Sequence, residues 1–219
     1  MDNCCICGQI AGDPAHDLLH HARGAAEYER WVPLETDHFA VIPSIGALVP
    51  GHVLLCPRRH VRSSALLDAN EAHEMERASA ALEGRLRSEF GGAVQIFEHG
   101  NSAGGTHIGC SVEHAHLHFI PGAPEIWDRI ADDLAWVETD ESIARLARGG
   151  EYIRYRTGEE RWYVCLSDAD GDLPSQYLRR RFAEALGLAG EWNWREAPRF
   201  EVTRETMERL ATAPAALPS

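Results

Sequence analysis

Apolar and polar positions change period several times along the first half of the chain. Residues 27–43, EYERWVPLETDHFAVIP, read as two strands around a turn at Glu35–Asp37. Residues 51–57, GHVLLCP, read as a short apolar strand after a Pro–Gly turn. Over 67–90 the period changes: Leu67, Ala72, Met75, Ala78, Leu82, Leu86 and Phe90 recur at helical spacing, with Asp68 or Asn70 as the cap. A strand over 92–98, GAVQIFE, then leads into a glycine-rich loop over 99–112, HGNSAGGTHIGCSV. The order strand, strand, helix, strand, loop, strand predicts an α+β fold with an antiparallel sheet.

Residues 113–122, EHAHLHFIPG, set His114, His116 and His118 at every second position, with Ala115, Leu117 and Phe119 between and after them. Side chains alternate across a strand, so a strand over about 113–120 turns three imidazoles one way and three apolar groups the other. A helix would scatter the imidazoles by ~100° per residue. Pro121 and Gly122 end the strand. At a rise of ~3.3 Å per residue the outer two α-carbons stand ~13 Å apart. Three histidines on one straight strand therefore do not reach a single zinc at ~2.0–2.1 Å together. Two neighbours can still chelate one ion; the other reading divides the labour, so that one imidazole reacts and its neighbours bind a phosphate or a metal, and the rest of the sequence has to choose.

Beyond residue 124 the texture changes. EYIRYRTGEERWYVCLS reads as two strands joined by a Thr–Gly–Glu–Glu turn, 173–188 as a helix capped by Ser175, and 203–212 as a last helix. We therefore divide the chain into a domain over 1–124 and an extension over 125–219 packed on it. Trp192 and Trp194 read as packing groups, and Arg179–Arg181 as a solvated helix face with a groove-lining role as the alternative.

Composition narrows the function. Of 219 residues, 44% are apolar and 25% charged, which is ordinary for a globular protein. No run of about 18 apolar residues exists, so no membrane span is expected. The start, MDNCCICGQIAGDP, lacks an apolar signal core, and a cytoplasmic location is expected. There, six cysteines point to metal ligands or buried thiols rather than disulfides, with Cys56, Cys110 and Cys165 as the buried thiols. A formal net charge of −13 argues against broad nucleic-acid binding, but not against a small phosphorylated ligand in a local pocket.

Three further stretches bear on the histidines. His52 and His60 flank the strand of GHVLLCPRRH. Gly100, Gly104, Gly105 and Gly109 allow a loop whose N–H groups turn toward an anion. Cys4 and Cys7 form a C-x-x-C, half of a tetrahedral metal site, with Cys5 as an alternative to Cys4 and with His60 and His114 as candidates for the other half.

HAHLHFIP, VPGHVLLCPRRHV and CCICGQIAGDP together resemble, in order, three motifs of the histidine triad family, over residues 4 to 121. The tract LPSQYLRRRFAEALGLAGEWNWRE is similar, more loosely, to the C-terminal extension of a splicing-associated group of triad proteins. The resemblance implies a nucleotide hydrolase acting at the α-phosphate of a nucleotide conjugate. It assigns His116 as the nucleophile that forms a nucleotidyl-histidine, His118 and His52 as holders of the phosphate oxygens, and His114 as an orienting group or a metal ligand. Ser44, Glu98, Asn101, Ser111 and His118 would contact the nucleotide, Ser111 beside the leaving group. Cys4, Cys7, His60 and His114 would hold a structural zinc ion. A homodimer across the sheet is expected, unless the extension blocks it. A histidine at the third triad position, His118, resembles the hydrolase branch, whereas a glutamine would mark transferases. Two departures stand out. Ser44 replaces the usual acidic or amide group for the sugar, and Glu98, a carboxylate, falls where an amide would face phosphate. A nucleotidyltransferase or phosphorylase, and a nucleotide-binding adaptor using its extension, remain the alternatives.

Overall fold

The computed structural model describes residues 4–24, 27–102, 113–147, 150–167 and 173–211. Eight strands form one sheet: β1 (Leu34–Glu35), β2 (Phe39–Pro43), β3 (Val53–Pro57), β4 (Val94–Asn101), β5 (Leu117–Pro121), β6 (Val137–Glu138), β7 (Glu151–Arg156) and β8 (Trp162–Leu166). Their order is β1-β2-β3-β5-β4-β7-β8-β6, and every pairing is antiparallel. The helices are α1 (Cys5–Ala11), α2 (Leu18–Arg23), α3 (Ala69–Phe90), α4 (Trp127–Ile130), α5 (Ile143–Leu146), α6 (Tyr177–Ala185) and α7 (Phe200–Ala211). The α+β expectation holds.

Alternation along the strands decides which residues meet which layer. Phe39, Val41, Val53, Leu55, Ile96, Leu117 and Phe119 point to one face of the sheet. There they pack on Met75, Ala78, Leu82 and Leu86, the buried stripe of α3, and on Leu210 of α7. Asp68 caps α3 and Glu71 returns the bond to the Asp68 backbone, so two otherwise unpaired N–H donors are satisfied at the start of the helix. The other face carries Ala40, Ile42 and Cys56 under α1. It also carries Phe97, Ile120, Ile153 and Tyr155 against Ile130, Leu178 and Phe182 of α4 and α6.

The segment after residue 124 joins the first part by main-chain pairing as well as by packing. Six residue pairs from Ile96↔Arg156 to Asn101↔Glu151 lay β7 along the outer edge of β4. The outer edge of β4 is therefore occupied within the chain, and among the described residues the two-residue strands β1 and β6 stand at the edges of the sheet.

Several boundaries differ from the sequence expectation. β4 runs through His99–Asn101, which the glycines had assigned to the loop. The triad strand proper begins at Leu117, with His114 and His116 just before it. Ser175 does not cap α6, whose cap position is Gln176 with a left-handed backbone (φ 54°). Among the described residues, no helix is long and apolar enough to cross a membrane.

Candidate active site

A cleft opens on the α1 and α6 side of the sheet, lined by His99, His116, His118, Ser44, Arg179 and Trp194 among others. Strand register builds its floor. His118 pairs across the sheet with Leu54 on β3 and Phe97 on β4, so these three side chains stand abreast. The Phe97 ring stacks on His118, with centroids 4.3 Å apart and planes 12° from parallel. Ala115, Leu117 and Phe119 face the α3 core as the spacing predicted.

The hydrogen bonds fix the role of each ring nitrogen. The N–H of Leu48 donates to His52 Nδ1 at 3.2 Å. In a neutral His52 the proton is then on Nε2, which lies 3.0 Å from His118 Nδ1. His118 accepts there, and its own proton sits on Nε2 as a donor. His116 Nδ1 lies 2.7 Å from the carbonyl of His114. A carbonyl only accepts, so Nδ1 carries the proton and Nε2 keeps its lone pair. Burial lowers the pKa of His52, His116 and His118, and the positive charge of Arg179 pushes in the same direction. Near neutral pH the three rings are therefore uncharged, with His116 Nε2 a nucleophilic nitrogen and His118 Nε2 a donor.

The structure places two of the expected site residues away from the lining of the cleft. His52 is fully buried and does not line the cleft; both its nitrogens are spent on Leu48 and His118. Its ring thus contacts His118 and stands outside the lining of the cleft. Glu98 is also fully buried, on the opposite face of β4 from the cleft. Its carboxylate ion-pairs with Arg154 at 2.7 Å and accepts from the Ser64 N–H at 2.9 Å and the Ser64 hydroxyl at 2.5 Å. The cleft-facing position of that strand is His99. His99 Nε2 lies 2.8 Å from Glu151 of β7. Continuing β4 by one residue in the sequence reading would have found it, since Phe97 and His99 share a face.

Ser44 lines the cleft as expected and receives a bond from Arg179 Nη1 at 3.3 Å. Asn101 ends β4 opposite Glu151. Ser111 and Cys110 lie outside the described residues. Arg179, expected on a solvated face, is buried, and Trp194 lines the cleft rather than only packing. Cys56 and Cys165 are buried thiols as expected.

Beside the cleft, Cys4, Cys7, His60 and His114 bring their ligand atoms within 4.8 Å of one another. Cys4 Sγ and Cys7 Sγ each lie 3.4 Å from His114 Nδ1, and Cys7 Sγ lies 3.4 Å from His60 Nδ1. An ion bound tetrahedrally, ~2.3 Å from sulfur and ~2.0–2.1 Å from nitrogen, sets those atoms ~3.5 Å apart. His114 Nε2–H donates to the Pro57 carbonyl at 2.8 Å, which leaves the Nδ1 lone pair for a metal. Cys4 also accepts the Cys7 N–H at 3.4 Å, as the N-cap of α1. Burial and the neighbouring Cys4 push the Cys7 thiol up to about 12, so its thiolate requires a cation. The donor set therefore fits a metal ion, and Cys4 rather than Cys5 completes it; Cys5 lines the cleft.

The cleft thus sets two uncharged histidines side by side on an antiparallel sheet, one with an unprotonated Nε2 and one with an Nε2–H to donate. Residues 25–125 match the family model of the HIT domain. Among solved structures, a HIT family protein from Bacillus subtilis is 23% identical, with 54% of this chain and 72% of that one covered and a TM-score of 0.42. One from Bacillus anthracis is 21% identical, covering 55% and 73%, with a TM-score of 0.42. A HIT family hydrolase from Legionella pneumophila is 18% identical, covering 57% and 97%, with a TM-score of 0.39. No curated protein matches the chain.

Proposed function

We propose that this chain is a nucleotide hydrolase that works through a nucleotidyl-histidine. The observation that carries the reading is the bond from His116 Nδ1 to the His114 carbonyl, which leaves Nε2 unprotonated in the same cleft as the donor His118. His116 Nε2 attacks the α-phosphorus of a nucleotide ester, anhydride or phosphoramidate, and forms a P–N bond. The bond to the leaving group breaks, and that group departs with the electron pair and takes up a proton. We assign the proton to His99, which lines the cleft and is oriented by Glu151. Water then attacks phosphorus and gives its proton to His99, the P–N bond breaks with its electron pair returning to His116 Nε2, and the nucleoside monophosphate leaves with both histidines restored. His118 Nε2–H donates to the oxygens on which charge grows in both transition states.

Cys4, Cys7, His60 and His114 are assigned as ligands of a structural zinc ion. Bound there, zinc would supply a closed crosslink between α1 and the segment leading into β5, and no reaction step. A transferase would use the same first half-reaction and differ only in the acceptor. The test is release of AMP from adenosine 5′-phosphoramidate by the wild type. The hydrolase reading expects loss of at least about 10⁴-fold in His116→Ala and requires water as the acceptor. Unchanged turnover in that variant contradicts it.

A further inference from the structure

In a chain of net charge −13, the described residues that line the cleft include no aspartate or glutamate. Among those described residues the one permanent cation is Arg179, the third residue of α6. That guanidinium is 3% exposed. Nε donates to the Trp192 carbonyl at 2.7 Å, Nη1 to Ser44 Oγ at 3.3 Å, and Nη2 to the carbonyls of Ile45, at 3.4 Å, and Gly46. Every acceptor is neutral. One Nη1–H is left without an acceptor among the described residues. The charge that acts on Arg179 is that of another cation, Arg199, itself paired with Glu191 at 3.2 Å. Burial and Arg199 push the Arg179 pKa down to about 10, so it stays charged at neutral pH.

A mere pin between α6 and the 44–46 turn needs donors, not a charge. A cation buried without a counter-ion costs several kcal/mol, and proteins keep such a group where an anion comes to meet it. The backbone is shaped around this one. Gly46 has φ +64°, and a Cβ there would stand 2.8 Å from Arg179 Nη2, 2.7 Å from the Ala197 carbonyl and 2.9 Å from Trp194 Cα.

We propose that Arg179 pairs with a phosphoryl group of the ligand, so that the segment after residue 124 supplies the fixed cation of the triad cleft. The inference deepens the nucleotide reading above and rests on it only for the ligand class.

The test is calorimetric binding of inorganic phosphate, adenosine, AMP and adenosine 3′,5′-bisphosphate to the wild type, Arg179→Lys and Arg179→Met. The expected result is tighter binding of AMP than of adenosine by the wild type. Arg179→Met should weaken the phosphorylated ligands by about 10- to 100-fold, with adenosine changed little and Arg179→Lys intermediate. Loss on inorganic phosphate and AMP assigns the pair to the 5′-phosphate; loss on the bisphosphate alone assigns it to a second phosphate. Affinities of Arg179→Met for all phosphorylated ligands within about twofold of wild type overturn the proposal, as does a wild type that binds none of them. If the variants fail to unfold cooperatively, wild-type crystals soaked with the bisphosphate decide. A phosphate oxygen within about 4 Å of the guanidinium supports the proposal, and both phosphates beyond that distance overturn it. Retained Arg179-dependent binding without a nucleotidyl adduct would sink the hydrolase reading alone. A nucleotidyl adduct on the wild type, with affinities of Arg179→Met for every phosphorylated ligand unchanged, would sink this one alone.

Discussion

His52 Nε2 donates to His118 Nδ1 across 3.0 Å, and the backbone N–H of Leu48 holds the far side of His52. The pair works as a tautomer lock. A buried imidazole that accepts from a main-chain amide on one nitrogen must donate from the other, and its neighbour must then accept.

Removing the lock while keeping His118 tests it. His52→Ala should leave the fold intact and lower kcat by about 10²-fold with a smaller change in KM, because a misoriented donor costs transition-state stabilisation more than binding. Nitrogen-15 spectra of the histidine side chains should show His118 protonated at Nε2 in the wild type and a mixture of tautomers in the variant. A single Nε2-protonated His118 in both proteins would show that His52 is not the lock.

The same burial gives a pH signature. His52 and His118 both have pKa values held well below the ordinary ~6.5 by burial. In the unfolded chain they take up protons below about pH 6.5, while in the folded chain they do not. Their effect is thus absent above that pH, and stability is lost as pH falls below it, by at most ~2.7 kcal/mol per pH unit for the two groups together. Urea unfolding across pH 5–8 should show this slope, and it should be shallower in His52→Ala. An equal slope in both would rule out His52 as a contributor.

Chelation tests the cysteine–histidine cluster. The purified chain should carry about one zinc per molecule by elemental analysis, and Cys4→Ser or Cys7→Ser should lose it, whereas Cys5→Ser should keep it. If zinc is present about a thousandfold above its Kd, stripping it removes ~4 kcal/mol. For a chain of this size that lowers Tm by about 8–16 °C. A metal-free wild type with unchanged Tm in chelator would refute the site.

Glu98 separates structure from binding. Glu98→Gln leaves Arg154 buried without its partner and should cost about 3–5 kcal/mol. Below the lowered Tm, nucleotide affinity should stay within about threefold of wild type, since the carboxylate lies on the far face of β4. A selective loss of affinity with unchanged stability would restore it to the site.

Local pattern carried the reading where one short stretch decides the outcome. Period-two spacing set Ala115, Leu117 and Phe119 in the core, and the C-x-x-C identified the Cys4 and Cys7 half-site. It failed where one residue of register decides a face. Ending β4 at Glu98 made a carboxylate a ligand and hid His99, because glycine at position 100 looked like a loop signal while the main chain kept pairing with β7. Arg179 was out of reach for a different reason. Its burial depends on a contact between residues 179 and 44–46 that no local period encodes. His52 was found, but its role depends on the Leu48 N–H, which only the folded turn supplies.

The central claim is that His116 becomes covalently nucleotidylated. Intact-protein mass spectrometry, after rapid acid-free quenching of the chain with nucleoside 5′-phosphoramidates and dinucleoside polyphosphates of all four bases, tests it most directly. A mass increase of one nucleotidyl group on the wild type, labile to acid and absent from His116→Ala, is the predicted result. Monophosphate release with no adduct at any quench time, or an adduct that persists in His116→Ala, would contradict it.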